Sequence, residues 1–269
     1  MATSKKKPAA PARAQKPVLI RRMGEIAIVT LNRPEKRNAL GDDMVSLLDG
    51  FFARPPAEVK AVVIDGRGEH FSAGLDLSSL RERDAVEGMY HSRSWHIAFE
   101  KIQFGRVPVV AALHGAVIGG GLELAAACHV RVADSSTFYA LPEGQRGIFV
   151  GGGGSARIPR LVGVARMTDM MLTGRVYKAE DGERLGFAQY LVEAGQSLPR
   201  AIELAKKMAG NAGMTNFAVM HALPRIADST QEVGLFTESL IASIAQSAPE
   251  AKARVRAFLE GRAAKVKAE

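Results

Sequence analysis

Short runs with no polar residue in them constrain this chain's fold more than any other feature. Ala61–Ile64 and Val109–Leu113 are apolar throughout, and each is as short as a strand. A strand with one face in water alternates apolar and polar residues. An uninterrupted run is consistent with a strand covered on both faces, as in parallel sheets flanked by helices. Val18–Arg22 and Ile26–Leu31 read as two further strands joined by a Met-Gly-Glu turn, and Asn32-Arg33-Pro34 ends the second, because proline donates nothing to a ladder. Helical spacing separates the strands. Asp42–Phe52 aligns Met44, Leu47, Leu48 and Phe51 before Pro55-Pro56 breaks it, and Leu80–Gln103 is mostly helical. An alanine-rich helix is expected over Leu122–Cys128, followed by strands at Val130–Ala133 and Thr137–Ala140. Alternation of this kind predicts an α/β core with a largely parallel sheet.

After Ser155 strand signals nearly vanish, with Phe187–Val192 the one candidate. Helices are expected at Val164–Leu172, Ala179–Leu185, Leu198–Ala209, Asn216–Leu223, Glu232–Ser247 and Pro249–Glu260. The pattern therefore changes near residue 195 from α/β to all-α.

With 269 residues the chain can bury a core without staples. The single cysteine, Cys128, excludes a disulfide framework and a cysteine-cluster metal site. No apolar run reaches the ~18 residues that would span a bilayer. A net charge of +8 raises the question of anionic partners. Five of those units, Lys5, Lys6, Lys7, Arg13 and Lys16, sit in the first sixteen residues, which contain no acid and no apolar block. Residues 1–16 are accordingly read as a disordered, solvated basic tail, and nucleic acid is disfavoured as a partner because no RNA-recognition signature accompanies the charge.

Gly119-Gly120-Gly121 lies between an apolar strand and a helix but lacks the third glycine of a dinucleotide fingerprint, and no phosphate-binding P-loop is present. Two readings of the segment stay open. It either presents unpaired N–H groups to an oxyanion or phosphate, or it simply lets helix and strand pack closely. Glu123, in the first helical turn, either complements the helix dipole or stands as a carboxylate beside that anion site. Glu143 follows Leu141-Pro142 in a loop. Together, two carboxylates and a ring of amides make an acid/base site. The six histidines form no metal-ligand spacing, and Ser72 is not set in a nucleophile elbow. Cys128 and Trp95 read as packing residues.

Several segments in register resemble the crotonase superfamily: Leu31–Leu40 (LNRPEKRNAL), Phe71–Leu77 (FSAGLDL), Val117–Leu124 (VIGGGLEL) and Leu141–Gly144 (LPEG). The likeness continues through Gly151–Gly154, Leu172–Gly174 and Ala251–Arg262, covers residues 17 to 262, and is strongest toward the enoyl-CoA hydratases. It implies a spiral of ββα units forming two roughly perpendicular sheets over residues 17–195. It also implies a helical region over 196–269 that mediates trimers, often stacked as hexamers. An acyl-CoA thioester is the implied substrate, coenzyme A being part of it, with no separate cofactor and no metal. The implied oxyanion hole is the backbone N–H of Leu75 and Gly120. Glu123 is the implied base toward water, and Glu143 orients that water and protonates Cα in a reversible syn addition to a trans-2-enoyl-CoA. Lys36, Asn38, Ala39, Leu40, Ala73, Gly74, Asp76, Leu77 and Gly119 are implied along the substrate, and Lys36, Arg37 and Lys101 are candidates for its phosphates. The expected setting is cytoplasmic.

Two departures bear on specificity. Val150 replaces a proline common in the hydratases, and Gly144-Gln145-Arg146 is more polar than their usual apolar run. If Gln145 or Arg146 lines the acyl pocket, a polar or carboxylated acyl group is expected. Competing readings are a double-bond isomerase, decarboxylase or thioester hydrolase of the same superfamily, relatives that usually lack one carboxylate, and an RNA-binding hydratase relative.

Overall fold

A computed structural model describes residues 16–79 and 81–262, so the basic tail, apart from Lys16, lies outside the described residues. Strands β1 (Val18–Met23), β2 (Ile26–Leu31), β3 (Ala61–Gly66) and β4 (Val109–Leu113) are followed by β5 (Ala116–Ile118), β6 (Val130–Asp134), β7 (Phe138–Ala140), β8 (Tyr177–Lys178) and β9 (Tyr190–Val192). Helices α1 (Asp42–Ala53), α2 (Ala85–Gln103), α3 (Gly120–Ala127), α4 (Gly154–Val162), α5 (Val164–Thr173) and α6 (Ala179–Leu185) intervene. After β9 the described chain is helical: α7 (Ser197–Ala209), α8 (Gly213–Phe217), α9 (Leu223–Ala227), α10 (Gln231–Ser247) and α11 (Pro249–Leu259), with a π-helical stretch at Ala218–Ala222 joining α8 to α9.

Two sheets form. The larger has the order β1-β2-β3-β4-β6-β9, and only its β1–β2 pair is antiparallel. The smaller runs β5-β7-β8 and is extended by parallel bridges Ser72–Val117 and Leu40–Leu75. Each pass of the chain lays one segment in the large sheet and the next in the small one: β3 then Ser72, β4 then β5, β6 then β7. Helices α2 and α3 carry the chain back between passes. This is the winding of ββα units.

Both faces of the large sheet are covered over its inner strands β2, β3, β4 and β6, which explains the apolar runs. Ile26, Ile28, Ala61, Val63, Val110, Ala112 and Val132 point to Ala201, Leu204, Ala205 and Ala209 of α7. Their neighbours Ala27, Val29, Val62, Ile64, Val109, Ala111 and Ala133 point into the main core with Leu48, Phe71, Phe99 and Leu122. Successive residues of a strand face opposite ways, so a sheet clad on both sides accepts no polar alternation. The first helix past residue 195 is thus a layer on the sheet, with Ala201, Leu204, Ala205 and Ala209 buried against it.

The sequence pattern missed β5, β8 and α4. β5 is three residues between two glycines, too short to show a period. α4 opens on glycine and contains Pro159, both signals that normally stop a helix. The helix expected from Leu80 begins at Ala85, where the Asp84 carboxylate accepts from the Glu87 amide at 2.8 Å, an N-cap that satisfies one of the free first-turn N–H groups. The single helix expected over Asn216–Leu223 is divided by the π-helical stretch.

Candidate active site

The bridges of the small sheet place the 73–75 turn against the β5–α3 turn. The approach is close enough that Gly74, at φ +88°, has no room for a side chain: a Cβ there would stand 2.6 Å from the Ile118 carbonyl oxygen. Leu75 and Gly120 become neighbours as a result. A Cβ on Gly120 would lie 3.5 Å from the Leu75 amide nitrogen and 3.2 Å from the Trp95 ring. Among the described residues neither amide donates to a carbonyl. Gly120 is the first residue of α3, where an N–H has no partner inside the helix. Both line a cleft of about 270 Å³ together with Glu123 and Glu143.

The two carboxyls sit in different surroundings. Glu123 is buried in the first turn of α3, and its Oε1 accepts from the Gly152 and Gly154 amides at 2.8 and 2.7 Å. Those amides belong to the start of α4, whose dipole favours negative charge there. Burial raises the Glu123 pKa, and the N–H donors of Gly154, Gly152 and Gly151 offset only part of that rise. The glycine run 151–154 is therefore a cradle for one oxygen of Glu123. Of backbone amides, Glu143 has only its own, not a cradle of three, to favour its charged form. Its Oε2 is buried with no hydrogen-bond partner among the described residues. Burial, with the nearby Glu123 charge adding to it, pushes the Glu143 carboxyl up to about 7. Gly119, at φ +51° and ψ −121°, takes a conformation open almost only to glycine, and a side chain there would collide with Glu143 Oε1.

The expected substrate-binding residues flank this cleft without lining it. Lys36 Nζ is tied to Asp76 Oδ2 at 3.0 Å and donates to Ser78 Oγ at 2.8 Å. Hydrogen bonds from Ser78, then the Lys36 ammonium, hold the Asp76 carboxyl at about 2. Asn38 is fully buried; its side chain donates to the Arg67 and His70 carbonyls and accepts from the Arg33 amide. It fixes the loop from within. Ala39, Leu40, Gly74 and Gly119 are buried, Ala73 is half-buried and Leu77 is exposed. Lys101 pairs with Asp49 at 2.6 Å and borders a separate hollow with Phe52, Arg54 and Arg106.

Gln145 and Arg146 are exposed and lie outside the cleft, with the Gln145 amide against Gly174. The expectation that one of them could polarise the acyl pocket is corrected: Ile148, Phe149 and Val150 take that wall. The polar residues that do line it are Arg83, His91 and Ser92, spread along the N-terminal half of α2 and the turn before it. No motif marks them. His91, a histidine without metal-ligand spacing, and Trp95, read as packing, both bond Asp42 Oδ1, at 2.8 and 3.2 Å. Cys128 is buried, and burial raises its thiol to about 12, which makes it a core residue. His129 bonds the Val109 amide and the Gln103 carbonyl. No group of three His, Cys, Asp or Glu side chains among the described residues could hold a metal ion, and no helix among them is long and apolar enough to cross a membrane.

Two packed sheets wound from ββα units, with paired amides facing paired carboxyls, define the crotonase superfamily. Within it the chain belongs to the enoyl-CoA hydratase/isomerase family, an enzyme family whose model matches residues 21–269. It is 32% identical to a short-chain-enoyl-CoA hydratase of Clostridium acetobutylicum, over 91% of this chain and 95% of that protein. It is 38% identical to the fatty acid oxidation complex subunit alpha of Shewanella frigidimarina, matching 70% of this chain but only 28% of that longer protein. A crystal structure from Rhodopseudomonas palustris, provisionally assigned as an enoyl-CoA hydratase, superposes with a TM-score of 0.90 at 57% identity, covering 94% of this chain and 98% of that one.

Proposed function

We propose that the protein is an enoyl-CoA hydratase that adds water reversibly, in syn fashion, to a trans-2-enoyl-CoA. The observation that carries this reading is the pair of carboxyls in one cleft with two unengaged amides. The thioester oxygen sits between the Leu75 and Gly120 N–H groups, which stabilise it as negative charge builds toward the enolate. Preorganised donors of this kind are worth roughly 2.7–4 kcal/mol each. Water stands between the carboxyls. Glu123, with Oε1 held by Gly152 and Gly154, keeps Oε2 to accept the water proton while the hydroxyl bonds to Cβ. Glu143, poised near neutrality, holds the same water and gives its own proton to Cα. Two acid/base groups are required because water must lose a proton at one place while carbon gains one at another. Ionised Glu123 and protonated Glu143 form the active pair for hydration.

In this reading the chain's own groups supply the catalysis, and coenzyme A enters as part of the substrate in a cytoplasmic setting. Lys36, Asn38, Ala39, Leu40, Ala73, Gly74, Asp76, Leu77 and Gly119 shape the edge along which the coenzyme lies, Asn38 by holding the loop. The helices after β9 form the contact between copies in a trimer or a stacked hexamer. Exposed Val233, Phe236, Leu240 and Ile244 on α10 and Phe258 on α11 support this, since such area on a free chain signals association.

Incubating the purified protein with crotonyl-CoA and identifying the product by mass tests the reading. A gain of one water, giving 3-hydroxybutyryl-CoA, is expected. Double-bond migration in a longer enoyl-CoA without mass gain would assign an isomerase instead. Release of free coenzyme A would assign a thioester hydrolase, and no turnover of any enoyl-CoA would contradict the reading.

A further inference from the structure

The cleft that holds the two glutamates continues along one face of α2. Trp95 stands beside Gly120, and Ser92, His91 and Gly88 follow toward the helix start, with Arg83 just before it. From Trp95 to Gly88 is two turns, about 10 Å of rise. Ile148, Phe149 and Val150 add an apolar stretch to the lining. Arg83 is half-buried, and among the described residues its guanidinium has no hydrogen bond and no ion pair. The carboxylate within its electrostatic reach, Asp42, already bonds His91 and Trp95. A guanidinium facing a cleft without a partner is a ready site for an oxyanion, which it binds through two parallel N–H donors.

Resting on the hydratase reading, we infer that Arg83 selects enoyl-CoA substrates whose acyl chain ends in a carboxylate, monothioesters of unsaturated dicarboxylic acids, by pairing with that carboxylate at the outer end of the cleft. The chain's apolar middle lies against Ile148, Phe149 and Val150, and its reacting end lies between Glu123 and Glu143. Ser92 Oγ already donates to the Gly151 carbonyl at 2.7 Å and His91 Nε2 already bonds Asp42 Oδ1, so the donor this side of the cleft offers a carboxylate is Arg83. The coenzyme's phosphates are the other source of an oxyanion for Arg83, and the two sources separate in a substrate comparison.

The test measures kcat/KM for crotonyl-CoA and for a series of trans-2-enoyl-CoA thioesters ending in methyl or in carboxylate at equal chain length, with wild type, Arg83→Gln and Arg83→Lys. Wild type is expected to favour the carboxylated member of at least one pair by about tenfold or more, the order that a hydrogen bond to a charged group supplies. Arg83→Gln is expected to erase that ratio and Arg83→Lys to restore part of it. No preference in wild type, or a preference that survives Arg83→Gln, overturns the inference. A uniform rise in KM for methyl and carboxyl members alike in Arg83→Gln assigns the residue to the coenzyme's phosphates and also overturns it. Failure to hydrate any member of the series would instead count against the hydratase reading itself.

Discussion

The floor and the wall of the cleft are built from different material. The floor is main chain: the amides of Leu75 and Gly120, and the Gly152 and Gly154 amides that hold Glu123. The wall along α2 is side chain: Trp95, Ser92, His91 and Arg83. A floor of amides is indifferent to what side chain Leu75 carries but demands glycine wherever backbones or carboxyls crowd. In the wall only Trp95 is tied into the main core; Arg83, His91 and Ser92 are half-buried and make no such demand. On the proposed reading, chemistry belongs to the first region and substrate choice to the second.

The comparison breaks most easily at the floor. Glu123→Gln and Glu143→Gln are each expected to lower kcat for crotonyl-CoA hydration by about 10²–10⁴-fold, the usual share of a general acid or base. Retention of wild-type rates in either would mean that the water is activated by something else. Gly119→Ala follows. Its positive φ and the collision with Glu143 should cost about 1–3 kcal/mol of stability, read as a lower Tm, together with a loss of hydration rate. A variant as stable and active as wild type would show that the β5–α3 turn is less crowded than described. The smallest effect is expected at the basic tail: removing residues 1–15 should leave kcat/KM unchanged, and a large loss would give that charge a role in binding substrate.

The same division explains what could be read from the sequence. Gly119-Gly120-Gly121, Glu123 and Glu143 were legible because backbone geometry limits the residues that fit and therefore leaves a spaced pattern. The apolar runs of β3 and β4 were legible because α7 and the main core cover both sheet faces. Arg83, His91 and Ser92 carried no signal: an arginine ahead of a helix and a histidine and a serine within one look like ordinary surface residues. Gln145 and Arg146 misled for the reverse reason. They are close in sequence to Glu143, but the turn at Gly144–Gly147 points them outward and brings Ile148–Val150 back to the cleft. Asn38 matched the expected binding stretch, yet its side chain is consumed by the Arg67 and His70 carbonyls, a long-range arrangement that local sequence does not encode. The charge of +8 was the least informative feature, because most of it lies outside the described residues.

The central claim is that surroundings divide two identical carboxyls into a base and an acid, and the pH dependence of kcat/KM for hydration tests it most directly. Glu143 must be protonated to give its proton to Cα, and its pKa stands at about 7. The rate is therefore expected to fall as pH rises through about 7, because the proton-bearing form is lost. It should fall again on the acid side, where Glu123 can no longer accept a proton. In Glu143→Gln the residual rate should no longer show the fall on the alkaline side. A wild-type rate that stays level or keeps climbing well above pH 7, or an alkaline fall that persists in Glu143→Gln, would contradict the assignment.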